Sequence, residues 1–171
     1  MEVSPWKTPL DLYWDKVHGC ENVTNFAMER GRLLEEEARD LFEEVVGEFV
    51  EPTVKIDDED LWLGGSSDGW NPSGTLVEIK CPGQVDHNKA IEGVIPEKYY
   101  PQLQHLMHVF RVDKMYYFSY RPQGKERYAM IKVEKSPFYI ERWYEKVSQF
   151  YECMRSKRPP EVSDFKPQIR A

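Results

Sequence analysis

The chain has 171 residues, of which 40% are apolar and 31% are charged, and its formal net charge is −7. This length suits one ordinary domain with a single core, and the composition excludes a disordered or fibrous chain. The absence of 18 consecutive apolar residues excludes a membrane-spanning helix, and the N-terminus lacks the apolar segment of a secretory signal. Three widely separated cysteines without a CxxC pair argue against a disulfide framework or a zinc site.

The charges are distributed unevenly along the chain. Residues 26–60 hold 13 acidic and 4 basic side chains, whereas residues 108–171 hold 8 acidic and 14 basic ones. A basic half can attract phosphate groups while an acidic half faces solvent or a partner. A merely solvated mixture of charges explains the pattern equally well, so the charge permits nucleic-acid binding without indicating it.

Two helices are predicted in the first third of the chain. Thr8 followed by Pro9 is typical of a helix start, because a hydroxyl cap precedes proline at the first helical position, and this helix runs to about Val17. A longer helix begins near Thr24 and ends at Gly47. Its apolar positions follow the spacing of one buried face, namely Leu34, Ala38, Leu41, Phe42 and Val45.

Strand signals then alternate with helical ones. A strong turn signal, Asn-Pro-Ser-Gly at residues 71–74, precedes a predicted strand at 75–81 that Pro82 and Gly83 end. The other predicted strands are residues 52–56, 61–63, 115–120 and 127–133, and the other predicted helices are 96–111 and one from Pro137. This order predicts an α+β fold, a mixed central sheet flanked by helices, in a single domain of residues 1–171.

The strand at residues 75–81 carries an unusual pair of charges. Because side chains alternate between the two faces of a strand, Val77 and Ile79 point one way while Glu78 and Lys80 point the other. Asp68, across a short turn, adds a second carboxylate. Two converging carboxylates form an oxygen-ligand site for Mg²⁺ or Mn²⁺. Lys80 then has three alternative roles: holding the attacking water, deprotonating it, or neutralising charge on the phosphate.

On spacing alone, a second interpretation stays open. Glu78 and Lys80 can be an exposed pair on an edge strand, with Asp68 as a turn residue, because a bare D-x9-E-x-K pattern arises often by chance. The turn before the strand, the glycine pair Gly64-Gly65 and the alternating apolar face all favour the site instead.

Four segments carry a more specific signal. In chain order they are SPWKTPL from Ser4, RGRLLEEEAR from Arg30, LGGSSDGW with GTLVEIKCPG from Leu63, and YYPQLQ from Tyr99. Together they resemble the motifs of the lambda-type phage exonucleases, also called the YqaJ-like viral recombinase family, within the PD-(D/E)XK nuclease superfamily. The resemblance extends over nearly the whole chain and implies a single nuclease domain with a restriction-endonuclease-like core.

The resemblance implies roles for individual residues. Asp68, Glu78 and the main-chain carbonyl of Ile79 would bind the metal. Lys80 would be the catalytic lysine, Glu35 would approach the metal through water, and Gln102 would orient Lys80 or the scissile phosphate. Relatives have further residues before the SPWKTPL segment that hold the 5′ end, whereas only three residues precede Ser4 here. DNA contacts are therefore expected from other groups: Lys7, Arg30, Arg32, Ser66 and Gln104.

The implied function is that of a Mg²⁺-dependent DNA exonuclease, with Mn²⁺ as a possible substitute. It would degrade one strand of linear double-stranded DNA from its end, 5′→3′, and leave single strands for recombination. The implied partners are DNA ends, a single-strand annealing protein and further copies of the chain, since relatives form trimers. The expected location is the cytoplasm of a phage host, or the nucleus or cytoplasm for a eukaryotic virus. Two alternatives stay open: an endonuclease or repair nuclease of other polarity, and a non-catalytic DNA-binding or assembly module.

Overall fold

The computed structural model of the chain describes residues 7–19, 26–123 and 125–161. The chain divides into two compact units, residues 24–136 and the paired terminal segments 1–23 and 137–171. The predicted single domain thus stays a prediction. The first three residues of the SPWKTPL segment and the predicted helix start near Thr24 lie outside the described residues.

The elements follow one another in an order close to the predicted one. In chain order they are α1 Pro9–His18, α2 Phe26–Val46, β1 Glu51–Ile56, β2 Gly64–Trp70, β3 Leu76–Lys80, α3 Gln84–Ile91, α4 Tyr100–Val109, β4 Lys114–Tyr120, β5 Tyr128–Glu134 and α5 Pro137–Arg155.

The larger unit is built on a five-stranded sheet in the order β1-β2-β3-β4-β5. Three neighbouring pairs are antiparallel, whereas β3 and β4 are parallel, so the chain crosses over between them through α3 and α4. A parallel pair requires such a crossover because a tight turn can join only antiparallel strands. The predicted α+β class with a mixed sheet is therefore confirmed.

The helix α2 packs against β3 and β4 through most of the apolar face that its sequence predicts, but Val45 is wrong: it is 38% exposed, and Val46 packs on the core instead. Ala38 and Phe42 are fully buried and form a core cluster with Val77, Ile79 and Phe118. The helix ends where it was predicted to end, because Gly47 takes a positive φ of 75° and donates its N–H to the carbonyl of Glu43 at 2.7 Å. One face of α2 therefore fixes the helix against the central strand of the sheet.

The predicted strand at residues 61–63 is wrong. Residues 57–63 form a turn, in which the N–H of Leu63 donates to the carbonyl of Asp60 at 2.7 Å, and the strand is β2 instead. The glycines of β2 indicate close packing and not a loop: a Cβ on Gly69 would lie 2.6 Å from Val50 and 2.8 Å from Val77. A strand of glycine, serine and aspartate therefore carries Asp68.

The connection between β3 and β4 differs from the prediction in two ways. The helix α3 was not predicted, because its short stretch buries only His87 and Ala90 and has no clear apolar face. The helix α4 lies inside the predicted range 96–111 and starts later, at Tyr100, after a turn in which Tyr99 donates to the carbonyl of Pro96 at 2.9 Å.

The smaller unit contains α1 and α5. The predicted start of α1 is confirmed by a capping box, in which Thr8 and Asp11 bond reciprocally through side chains and backbone. The helix α5 begins at Pro137 as predicted and buries Ile140, Trp143 and Cys153. No helix in the described part of the chain is long and apolar enough to cross a membrane.

Candidate metal and catalytic site

Glu78 and Lys80 stand on the central strand of the sheet. Because β3 pairs with β2 on one side and β4 on the other, the alternative of an exposed edge-strand pair is wrong. Glu78 is only 1% exposed, and Lys80 donates from Nζ to its Oε1. A charge this deeply buried requires partners, which the neighbouring elements supply.

Asp68 lies on β2 at the point where the pairing of β2 with β3 stops. The last paired residues are Gly69 and Val77, and beyond them Asp68 Oδ2 accepts the N–H of Ile79 at 2.8 Å. The N–H and C=O of a strand residue point to the same side, so the carbonyl of Ile79 also points to the β2 side of β3. The alternative reading of Asp68 as a turn residue is therefore wrong.

Gln102 reaches the same carboxylate from α4. Its Nε2 donates to Glu78 Oε1 at 2.6 Å, so this oxygen accepts from both Gln102 and Lys80. The other oxygen, Oε2, is buried and has no hydrogen-bond partner among the described residues. One oxygen of Glu78 is thus held in place while the other stays open to a cation.

Glu35 reaches the site from α2 together with a residue that the sequence analysis missed. Arg39 donates from Nη2 to Glu35 Oε1 at 2.9 Å and from Nε to the main-chain oxygen of Asp68 at 2.8 Å. The i,i+4 spacing of Glu35 and Arg39 was the available signal. It was overlooked because the acidic run around Glu35 resembles an ordinary solvated helix face.

Burial and nearby charges raise the pKa values of Glu78 and Asp68. Burial, and then the nearby charges of Asp68 and Glu35, raise the pKa of Glu78 to about 7, against the attraction of Lys80. Burial also raises the pKa of Asp68 above its usual value. Burial lowers the pKa of Lys80, but the attraction of Glu78 and Asp68 outweighs it, so this pKa lies above its ordinary value and the ammonium stays protonated.

This donor set fits a hard divalent cation. Two carboxylates and a main-chain carbonyl are oxygen ligands of the kind that Mg²⁺ and Mn²⁺ take. A cation would also relieve the repulsion that raises the pKa of Glu78. No group of three or more His, Cys, Asp or Glu side chains in the described part of the chain is arranged to hold a metal by itself. The fit therefore rests on two side chains and the Ile79 carbonyl, since Glu35 is bonded to Arg39.

The five residues predicted to bind DNA lie in different places. Arg30 donates to Gln123 at 3.1 Å. It also lies near Cys81, where burial raises the pKa of the thiol to about 11 and the positive charge of Arg30 partly opposes this increase. Arg32 and Ser66 are exposed on α2 and β2. Lys7 belongs to the smaller unit, where it pairs with Asp15.

Gln104 does not join the site, although the sequence analysis assigned it to DNA binding. It is fully buried, and its amide nitrogen donates to the carbonyl of Glu134 at 3.0 Å while its oxygen accepts the N–H of Ser136 at 2.8 Å. These bonds tie α4 to the end of β5. A glutamine occupied in this way stabilises the fold and has no exposed atom to offer to DNA.

The mixed sheet gathers a buried carboxylate, a half-buried one and a lysine, a set that fits a metal-dependent nuclease. The model of the YqaJ-like viral recombinase domain matches residues 1–113, which is more than half of the chain. The chain therefore belongs to this family, and the resemblance identified from its motifs is confirmed.

Solved structures agree with this assignment. An alkaline exonuclease from Laribacter hongkongensis superposes with a TM-score of 0.79 at 24% identity over 91% of this chain and 84% of that one. Its complex with dAMP gives a TM-score of 0.76 at 25% identity over 87% and 78%. A phage-related exonuclease from Haemophilus somnus gives 0.71 at 18% identity over 87% and 81%. Among curated proteins, no sequence matches significantly.

Proposed function

We propose that this nuclease is a Mg²⁺-dependent exonuclease that degrades one strand of linear double-stranded DNA, 5′→3′, and leaves single strands for recombination. The observation that carries the proposal is the buried Glu78 beside Asp68, both with raised pKa values, and a lysine bonded to Glu78. The family membership supports the chemistry. The similar structure in complex with dAMP supports a nucleotide product.

In this proposal Asp68, Glu78 and the carbonyl of Ile79 hold Mg²⁺, and Mn²⁺ can substitute for it. A divalent cation bound there polarises a phosphodiester and stabilises the negative charge that develops on its oxygens. Asp68 is held for this task by the N–H of Ile79, and Glu78 is held by Gln102, so both carboxylates keep their positions without the cation.

In the proposed reaction Lys80 donates hydrogen bonds as an ammonium group and does not act as a base. Because its pKa lies above the ordinary value for lysine, it is charged at neutral pH and can bond to a phosphate oxygen or orient the attacking water. This favours charge neutralisation and water positioning over deprotonation, among the roles that the sequence left open. Gln102 positions Glu78, and through it Lys80, because both residues donate to the same carboxylate oxygen.

The DNA would be held mainly by polar and basic groups of the larger unit. Arg30, Arg32 and Ser66 are the candidates there, with Lys7 as a candidate from the smaller unit. DNA ends are the proposed substrate. A single-strand annealing protein and further copies of the chain are the proposed partners, and the proposed place of action is the cytoplasm of the host cell.

The test is degradation of linear duplex DNA with Mg²⁺ by the wild type, Asp68→Asn and Lys80→Met. We expect each variant to lose activity by at least about 100-fold, because a ligand or the only lysine of the centre is removed. Lys89→Met, which removes an exposed lysine on α3, is the matched control and should degrade DNA at the wild-type rate. Separate 5′ and 3′ end labels report the polarity.

Closed circular DNA separates the alternatives. An exonuclease leaves the circle intact, whereas cleavage of the circle would indicate an endonuclease. Shortening from labelled 3′ ends would indicate the opposite polarity. A protein that binds DNA equally with and without Mg²⁺, and never shortens it, would be a non-catalytic module, and the proposal would then fail.

A further inference from the structure

Arg39 on α2 makes two directed bonds, one to Glu35 within its own helix and one to the strand of Asp68. One nitrogen of its guanidinium bonds to Glu35 Oε1 at 2.9 Å and another to the main-chain oxygen of Asp68 at 2.8 Å. Its side chain is only 16% exposed, whereas that of Glu35 is 37% exposed. Solvent therefore screens these bonds less than it screens a surface ion pair.

The bond to Asp68 acts where the ladder pairing of β2 is interrupted, between residues that β1 still pairs on either side. Pairing between β2 and β3 ends at Gly69 and Val77, so the backbone of Asp68 has no ladder partner on β3. Arg39 holds the main-chain oxygen of Asp68, and Ile79 holds its carboxylate. Two bonds at opposite ends of the residue thus determine where the carboxylate points.

The bond from Arg39 to Glu35 determines the orientation of the third carboxylate near the site. The charge of Glu35 is close enough to raise the pKa of both Asp68 and Glu78, yet its carboxylate is turned to Arg39 and not into the pair. An ordinary i,i+4 ion pair on an exposed helix face contributes little to stability. The second bond, to the backbone of another element, is what distinguishes Arg39 from such a pair.

We propose that Arg39 is a positioning residue of the metal centre, which sets the affinity for the divalent cation by fixing the backbone of Asp68 and the side chain of Glu35 together. This inference rests on the proposed metal-dependent function and goes beyond it by assigning a residue that touches neither the cation nor the DNA. Partners that orient a metal-binding carboxylate typically change metal affinity by about 10–100-fold when they are removed.

The experiment measures Mn²⁺ binding to the whole chain without DNA, by calorimetry and by the spin-resonance signal of free Mn²⁺. The variants are Arg39→Met, which removes the charge and both bonds, and Arg39→Lys, which keeps the charge but can reach only one of the two partners. Arg155→Met is the matched control, since Arg155 pairs with Glu152 within α5 at 2.8 Å and 66% exposure. Thermal unfolding in a chelator checks that each variant is folded.

We expect Arg39→Met to bind Mn²⁺ about 10–100-fold more weakly and Arg39→Lys to lie between this variant and the wild type. Arg155→Met should bind as the wild type does. In a Glu35→Gln background, the effect of Arg39→Met should become smaller but not vanish, because the bond to Asp68 is still lost.

Three outcomes would overturn the inference. Equal or tighter Mn²⁺ binding by a folded Arg39→Met would mean that the positive charge only competes with the cation. Full recovery by Arg39→Lys would mean that charge and not directed bonding matters. A melting temperature that falls while the Mn²⁺ affinity stays constant would mean that Arg39 serves the fold alone. A wild type that binds no Mn²⁺ would instead contradict the proposed function, so the two failures are distinguishable.

Discussion

Two carboxylates of the larger unit are buried almost completely, and they differ in what surrounds them. Asp57, in the turn after β1, is 0% exposed, and Glu78 on β3 is 1% exposed. Each has one buried oxygen without a hydrogen-bond partner in the described part of the chain, Oδ2 of Asp57 and Oε2 of Glu78. An unpartnered buried oxygen therefore does not by itself identify a metal site.

The groups around the two carboxylates make the difference. Asp57 Oδ1 accepts the N–H groups of Glu59 and Asp60 at 2.9 and 3.0 Å and a guanidinium nitrogen of Arg111 at 2.8 Å. Burial would raise the pKa of Asp57, but these donors outweigh it and lower the pKa. Oε1 of Glu78 also accepts from two donors, but burial together with the charges of nearby carboxylates outweighs them and raises the pKa to about 7. A buried acid whose donors outweigh its burial indicates a structural role, whereas one whose pKa stays raised beside further acids indicates a place for a cation.

The largest effect that we expect is on the rate of DNA degradation, which should depend on Glu78 and not on Asp57. Glu78→Gln should lower the rate of DNA degradation by at least about 100-fold, because it removes a proposed ligand and the ionic partner of Lys80. Asp57→Asn makes the same chemical change and should alter the rate per folded molecule by less than about threefold. The measurement is the initial rate on labelled linear duplex with Mg²⁺, corrected for the folded fraction. Comparable losses in both variants would show that burial, and not the neighbours, decides the role.

The next effect concerns the free energy of unfolding, and here Asp57 is the residue at which we expect a loss. Asp57→Asn should lower the free energy of unfolding by about 1–3 kcal/mol, since Arg111 and the turn lose an ionised acceptor. Asp58→Asn is the control. Its side chain is 73% exposed and pairs with Lys55 only at 3.5 Å, so its change should stay within about 0.5 kcal/mol. Urea unfolding at neutral pH measures both, and an equal cost for the two neighbours would contradict the structural role of Asp57.

The sequence predicted Glu78 more readily than Asp57 for a physical reason. Glu78 interrupts an apolar strand with period-two alternation, which is a local signal that a single chain displays. Asp57 opens the acidic run Asp57-Asp58-Glu59-Asp60, which looks like a solvated loop. Its ionic partner, Arg111, is distant in sequence and follows the end of α4. Contacts between distant segments, such as those of Arg39 with Asp68 and of Gln104 with Ser136, were missed for the same reason.

The course of the sheet was predictable only in part. Apolar alternation and turn residues predicted β1, β3, β4 and β5, whereas the predicted strand at 61–63 ends before the residues that form β2. Close packing of Gly69 on Val50 and Val77 is a tertiary property, and no local pattern announces it. The four motifs nevertheless predicted the correct family, because each motif is a set of residue types at fixed spacing and does not depend on the strand assignment.

The smallest effect that we expect is the pH dependence of stability, measured with a chelator so that no cation is bound. Asp57 has a lowered folded pKa, so its ionised form stabilises the fold above its unfolded pKa of about 4. The stability difference between the wild type and Asp57→Asn should thus be full at neutral pH and shrink as the pH falls through the acid range.

The contribution of Glu78 to stability should change with pH in the opposite direction. Its folded pKa of about 7 lies above its unfolded value, so the folded state binds the proton more tightly. The wild type should therefore lose stability relative to Glu78→Gln as the pH rises from about 4.5 to about 7, and the difference should then level off. Urea unfolding of the three proteins between pH 3 and 8 measures both slopes. Two slopes of the same sign would mean that the carboxylates share one kind of environment, and the distinction between a structural acid and a cation-binding acid would fail.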